Sequence, residues 1–310
     1  MKIKVSIIVS VRSLAGLVIV LQMLLPAQSK AQDTIALYNG KIPNSRQGKL
    51  SPLPNKLSPG LIYGVIRPSL EIFMPKPGTA NGTAVLICPG GSYKVLTYNG
   101  EGVVTAKAFA EKGITAFVLK YRLPDDSMMV NKTIGPLQDA QQAIKLIREN
   151  AAKWSLNINK IGVVGFSAGG HLASTLATHY RQPVIENTNN TSLRPDFVVL
   201  VYPVISMQDS LTHADSRRNL LGNRPSAKLI NSYSNELQVD ANTPPTYLTH
   251  AGDDQLVDVD NSIVFYEKLR HLHVRVEMHL FPKGGHGFIF GMPDWTVPLF
   301  NWMKRGKWIE

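Results

Sequence analysis

The chain has 310 residues, a formal charge of +11, 44% hydrophobic and 18% charged residues, and a single Cys. That apolar fraction excludes long disorder and collagen-like repeats, and one cysteine excludes an internal disulfide framework and multi-cysteine zinc or iron–sulfur sites. The length admits one large domain or two ordinary ones.

Part of the charge lies at the N-terminus. Lys2, Lys4 and Arg12 precede an apolar run from Leu14 to Leu25, and Ser29 and Ala31 follow as a small-residue pair. The run is shorter than the roughly 20 residues needed to span a bilayer, so it reads as a secretory signal cleaved after Ala31, not as a membrane anchor. No Cys stands at that cleavage site to take a lipid, and the protein is expected to be secreted or periplasmic. Cleavage would remove four cations and no acid. The densest basic spots left, Arg217-Arg218 and Lys304-Arg305 with Lys307, are not interleaved with aromatics. They read as solvated surface, and no nucleic-acid partner is expected.

Residues 32–60, with Pro43, Pro52, Pro54 and Pro59, read as an irregular arm. From 61 a regular alternation begins. Leu61–Met74 supplies one or two strands broken near Pro68, Thr83–Cys88 a buried strand, Glu101–Lys112 a helix ending at Gly113, and Ile114–Tyr121 another strand. Leu137–Lys153 has helical apolar spacing, Lys160–Phe166 is a buried strand and Ala168–Tyr180 a helix of small residues. Strands over 195–204, 245–251 and 274–281 and a helix over 260–272 complete the rhythm. Near-continuously apolar strands alternating with helices predict one α/β domain over 61–310, a mainly parallel sheet with helices on both faces. Residues 206–243 break the rhythm as a polar insertion, with a helical fragment at Ser226–Ser234. Two overlapping sequons, Asn189/Thr191 and Asn190/Ser192, mark an exposed loop.

The strongest local signal is Gly165-Phe166-Ser167-Ala168-Gly169, a G-x-S-x-G placed between a strand and a helix. The turn is tight, so its flanking positions must be small, and it lifts the Ser167 hydroxyl above the sheet at a positive helix end. No phosphate-loop or dinucleotide pattern competes with this reading. A serine hydroxyl needs a base, and in this arrangement the chain order is Ser, acid, His. His286 follows the last strand in Phe281-Pro282-Lys283-Gly284-Gly285-His286-Gly287-Phe288, a loop able to carry an imidazole over Ser167. His279 lies inside a strand, His271 and His273 end a helix, and His179, His213 and His250 have no glycine loop behind them. The acid belongs in the loop Gly252-Asp253-Asp254-Gln255-Leu256-Val257, where position alone admits either Asp253 or Asp254; Asp258 and Asp260 suit the start of the next helix. For an oxyanion hole, one N–H should come from Ala168 and another from the loop Pro89-Gly90-Gly91-Ser92-Tyr93. His171 is expected to pack beside the elbow, and with Tyr93 to shape the pocket. No H-E-x-x-H or paired-His spacing occurs, so neither metal nor other cofactor is expected.

The chain resembles the α/β-hydrolase superfamily, and within it the secreted bacterial esterases related to acetyl-xylan and feruloyl esterases. The resemblance lies in CPGGSY (88–93), GITAFVLKYRLP (113–124), DAQQAIKLIRENAAKW (139–154), KIGVVGFSAGGHLAST (160–175), NLLGNRPS (219–226), SNELQVDANTPPTYLTHAGDDQLV (234–257) and FPKGGHGF (281–288), most of residues 84–290. It implies an α/β-hydrolase fold, Ser167 as nucleophile, His286 as base and, through a D-x-x-V run, Asp254 as acid. Related lipases carry His-Gly-Gly-Gly where this chain has Pro89-Gly90-Gly91-Ser92, which leaves the second oxyanion donor open between Gly91 and Ser92. The resemblance itself gives no substrate, since such relatives differ in acyl and alcohol specificity; the activity expected is removal of short acyl groups, acetyl foremost, from a small ester or an acylated carbohydrate such as acetylated xylan. A prolyl-oligopeptidase-like exopeptidase is disfavoured, because the stretch 32–82 is too short for several propeller blades of ~40–45 residues. A non-catalytic binding module is disfavoured by the intact Ser167, Asp254 and His286 set.

Overall fold

The fold is that of a computed structural model in which residues 33–48 and 57–310 are described. The secretory segment expected over 1–31 and its cleavage point lie outside them. In chain order the elements are β1 (Thr34–Ala36), β2 (Ser69–Phe73), β3 (Ala84–Cys88), α1 (Thr105–Glu111), β4 (Thr115–Lys120), α2 (Gly135–Glu149), β5 (Ile161–Phe166) and α3 (Ser167–His179). Then come β6 (Val198–Val201), α4 (Ala214–Leu221), α5 (Ala227–Tyr233), β7 (Thr246–Ala251), α6 (Asp260–His271), β8 (Val276–Phe281) and α7 (Thr296–Arg305). Among the described residues the strands form one sheet in the order β1-β2-β4-β3-β5-β6-β7-β8. β1 and β2 are antiparallel to their neighbours, and the rest of the sheet is parallel.

The central strands carry apolar residues on both sides because both faces are covered: every residue of β3, β5, β6 and β7 is buried. Successive side chains of β5 show the two layers. Gly165 packs on Ala173 of α3, while Phe166 points to the other face, against Trp295 just before α7. On that second face α1 meets α7 through Phe109 and Phe300. All parallel strands end at one edge of the sheet, the edge where open α/β sheets carry their sites.

Several details differ from the sequence expectation. The stretch 32–60 is not wholly irregular: Thr34–Ala36 pairs with β2 as an edge strand. Only Ser69–Phe73 of 61–74 is a strand, starting directly after Pro68. The helix expected at Glu101 begins earlier, as a π-helical segment Tyr98–Val104 leading into α1. Its close packing on β4 requires glycine, since a Cβ at Gly102 would lie 2.8 Å from Val118 Cγ1. The insertion 206–243 contributes α4 and α5 and is less polar inside than its composition suggests, with Met207, Leu220, Leu221 and Tyr233 buried. Among the described residues no helix is long and apolar enough to cross a membrane.

The N-terminal segment is tied down by a buried ionic cluster. Arg122, two residues after β4, gives Asp139 of α2 its backbone N–H (2.8 Å) and guanidinium (2.7 Å). The Tyr38 hydroxyl donates to the same carboxylate at 3.0 Å, and Arg122 Nη1 reaches Pro43 O at 2.8 Å. Both ion-pair partners are within 2% of complete burial. Removing one leaves the other uncompensated, so Asp139→Ala should destabilise the fold by about 3–5 kcal/mol in urea unfolding.

Candidate active site

Ser167 sits where β5 turns into α3, at φ +50°, a left-handed conformation for a residue with a Cβ. The turn is possible because its neighbours have no side chain. A Cβ at Gly165 would lie 2.3 Å from Gly169 O, and one at Gly169 would lie 2.1 Å from Cys88 O. Gly90, on the loop after β3, comes equally close: its Cβ would lie 2.7 Å from Phe166 O and 2.8 Å from Ser167 Cβ. Cys88 is buried at the end of β3, and burial pushes its thiol well above the usual range.

Three side chains from separate strand ends meet at Ser167. His286 Nε2 lies 3.0 Å from Ser167 Oγ, and His286 Nδ1 lies 2.7 Å from Asp254 Oδ2. A carboxylate accepts, so Nδ1 carries the hydrogen and Nε2 is free to accept from the serine hydroxyl. Asp254 is buried on the loop after β7. Its Oδ1 accepts the N–H groups of Leu256 (2.9 Å) and Val257 (3.0 Å), and its Oδ2 also meets His250 Nε2 at 3.1 Å. Burial raises the pKa of this carboxyl, but the bonds from His250, His286 and the Val257 N–H outweigh it and hold the group well below the usual aspartate range. His250, which has no glycine loop, is thus a second donor to Asp254, oriented through Ser262 Oγ at 2.8 Å from its Nδ1. Its position at the end of β7, four residues before Asp254, was the available signal.

The adjacent Asp253 points elsewhere. Its Oδ1 accepts the Gly285 N–H at 2.8 Å, so it fastens the loop that carries His286. That N–H holds the exposed carboxyl below its usual range. Asp258 serves the start of the next helix as expected: its Oδ1 accepts the N–H of Asp260, the first residue of α6, at 2.9 Å.

The loop after β3 supplies N–H groups beside Ser167. The Gly90 N–H is taken by Glu101 Oε2 at 2.6 Å, and Lys94 and Val95 both donate to Gly91 O. The N–H groups of Gly91 and Ser92 have no protein acceptor among the described residues. Ala168 is the second residue of α3, and its N–H has no intrahelical acceptor. Gly91, Ser92 and Tyr93 all have positive φ, which curls this segment tightly.

Tyr93 and His171, expected to line the pocket, are buried instead, at 2% and 0% exposure. The Tyr93 hydroxyl lies 2.8 Å from His171 Nδ1, and His171 Nε2 lies 2.8 Å from the Tyr233 carbonyl. A carbonyl only accepts, so Nε2 carries the hydrogen and Nδ1 accepts from Tyr93. Burial pushes the pKa of His171 down to about 4, which keeps the ring neutral. The pair is a strut joining the glycine loop, α3 and the insertion. The insertion also grips the loop through Asn219 Nδ2, which donates to Ser92 O at 2.8 Å.

Two further groups escaped the sequence reading. Glu101 is buried under the glycine loop, and its Oε1 accepts from Tyr202 OH at 3.0 Å. Burial pushes its pKa up to about 7, against the lowering effect of the Gly90 N–H, the Tyr202 hydroxyl and nearby His286. Tyr202 follows β6, and its ring centroid is 4.6 Å from that of His286. No motif marks either residue.

An eight-stranded, mainly parallel sheet with a strand–Ser–helix elbow at its centre is the α/β-hydrolase fold. Within it the chain belongs to the BD-FAE family, whose profile matches residues 70–269. The acetylxylan esterase of Xylanibacter ruminicola is 35% identical over 237 residues, 74% of this chain and 46% of that protein. The endo-1,4-beta-xylanase B of Butyrivibrio fibrisolvens is 38% identical over 205 residues, 66% of this chain and 32% of that protein. The matches thus span less than half the length of these curated relatives. The crystal structure of an acetyl ester-xyloside bifunctional hydrolase from Caldicellulosiruptor lactoaceticus superposes with a TM-score of 0.74 at 32% identity, covering 90% of this chain and 98% of that one.

The Asp253–Gly285 contact can be read directly. Asp253→Ala should speed amide exchange at Gly285, whose N–H loses its acceptor, in exchange mass spectrometry of the 281–290 segment. Asp253→Asn, which keeps an acceptor oxygen, should exchange like the parent.

Proposed function

We propose that the protein is a serine carboxylic-ester hydrolase that removes short acyl groups, chiefly acetyl, from carbohydrate such as acetylated xylan. The observation that carries the reading is the unbroken contact line Ser167 Oγ–His286 Nε2 (3.0 Å) and His286 Nδ1–Asp254 Oδ2 (2.7 Å) on a left-handed elbow. The carbohydrate ester is supported by the relatives, one an acetylxylan esterase and one an acetyl ester-xyloside hydrolase.

The chemistry follows from the contacts. His286 Nε2 takes the Ser167 proton as Oγ attacks the ester carbonyl, and Asp254 stabilises the imidazolium that forms. The carbonyl oxygen becomes negative and is met by the Ala168 N–H and by that of Gly91 or Ser92. Collapse breaks the bond to the alcohol, which leaves with the proton from His286, and the acyl group stays on Ser167. Water then attacks the acyl-enzyme, losing its proton to His286, and the acid departs as Ser167 regains its hydrogen. No cofactor enters any of these steps. Tyr93 and His171 serve as supports for the glycine loop.

Ser167→Ala should lower turnover of p-nitrophenyl acetate at least about 10⁴-fold. The parent should cleave acetyl esters and acetylated xylan faster than butyryl or feruloyl esters. Faster cleavage of prolyl amides than of any ester would replace the esterase reading with an exopeptidase one.

The basic, apolar and small-residue run of 1–31 further supports export, with the hydrolase working outside the cytosol on an extracellular ester. The protein recovered from periplasm or medium should begin at Gln32, as read by intact mass. Recovery of the uncleaved chain from the cytosol would overturn export.

A further inference from the structure

We propose that Glu101 is a positioning residue for the ester chemistry: its carboxylate ties the oxyanion loop, through Gly90, to the His286 imidazole, through Tyr202. The inference rests on the hydrolase reading above and goes beyond the three residues of the contact line.

A buried carboxylate is costly unless it is paired or well hydrogen-bonded. Asp139 meets that condition with Arg122. Glu101, at 4% exposure, has no such cation; among the described residues no Lys or Arg forms an ion pair with it. Its two oxygens are divided between two arms of the site. Oε2 takes the Gly90 N–H at 2.6 Å, and Oε1 takes the Tyr202 O–H at 3.0 Å. In its ionised form the carboxylate makes both bonds stronger than a neutral acceptor would.

Geometry makes this more than a structural tie. The point where a Gly90 Cβ would stand is 3.0 Å from Glu101 Oε2 and 2.8 Å from Ser167 Cβ, so carboxylate and serine flank the same glycine. Holding the Gly90 N–H fixes the peptide plane directly before Gly91 and Ser92, whose N–H groups face no protein acceptor. On the other side Tyr202 is itself locked, with φ at +37° and its N–H on Thr249 O at 2.8 Å. Its ring against His286 restricts rotation of the imidazole. The π-helical segment Tyr98–Val104 accounts for the reach of Glu101, since a widened turn redirects a side chain that a regular helix would aim elsewhere.

The test compares Glu101→Ala, Glu101→Gln, Tyr202→Phe and the Glu101→Ala/Tyr202→Phe pair on p-nitrophenyl acetate, with Ser167→Ala alongside and urea midpoints for all. Glutamine can accept from Gly90 and donate to the tyrosine oxygen, so it preserves both links. Glu101→Ala should lower kcat about 100-fold, the scale of a small misplacement of reacting groups. Its KM should stay within about threefold, because the substrate itself is not touched. Glu101→Gln should recover kcat to within about fivefold of the parent, and the double variant should be no slower than Glu101→Ala, since both changes cut one path. A kcat for Glu101→Ala within about threefold of the parent overturns the proposal, as does a double variant that loses the product of the two single losses. If Glu101→Ala does not fold, Tyr202→Phe decides: a lowered kcat at unchanged KM supports the proposal and an unchanged kcat overturns it. A parent whose activity survives Ser167→Ala instead refutes the hydrolase reading. An inactive Ser167→Ala beside a fully active Glu101→Ala refutes only the role of Glu101.

Discussion

The site depends on one backbone constraint, the left-handed turn at Ser167. A residue with a Cβ in that region stores roughly 1–3 kcal/mol of strain, and it persists only where its surroundings over-determine it. Here they do. Three glycines, at 90, 165 and 169, leave no room for a Cβ, so β3, β5 and α3 approach until backbone meets backbone. The Ser167 carbonyl is also fixed, accepting the Val204 N–H at 3.0 Å. With the turn in place, the serine hydroxyl stands clear of the sheet, the free N–H groups of α3 open toward the same space, and the glycine loop lies alongside.

Around this turn the protein handles buried carboxylates in different ways, and the difference separates roles. Asp139 is matched to a guanidinium and joins β4, α2 and the segment around Tyr38 and Pro43. Asp254 is held by two imidazoles and two backbone N–H groups, which keep it ionised beside His286. Glu101 is held only by neutral donors, and burial raises its pKa. A cation offsets part of the cost of burying a carboxylate, whereas burial of one held by neutral donors disfavours its charged form.

The insertion between β6 and β7 works as a brace. Its α5 offers the Tyr233 carbonyl to His171, which in turn holds Tyr93, and its α4 offers Asn219 to Ser92. The loop that presents Gly91 and Ser92 is therefore gripped at Ser92 and Tyr93 from the insertion and at Gly90 from Glu101. Neutral His171 suits this work, because a charged ring in that position would face burial without a counter-charge.

The layered sheet, the elbow and the approach of His286 to Ser167 were legible in the sequence because each is written locally. Continuous apolar runs such as IGVVGF need cover on both faces, and glycines beside a serine between strand and helix leave few other conformations. Adjacent aspartates were not separable this way. Position alone admits both, and only the packed loop after β7 turns Asp254 toward His286 and Asp253 toward Gly285. The same holds for Tyr93 and His171, whose partners come from the insertion, and for Glu101, whose hydrogen-bond partners stand 11 and 101 residues away. Sequence by itself determined the elements and the turn that centres them, since propensity and Cβ sterics act over a few residues. Tertiary structure alone decided which polar atoms meet, because a hydrogen bond between distant segments exists only once the sheet has brought their ends together.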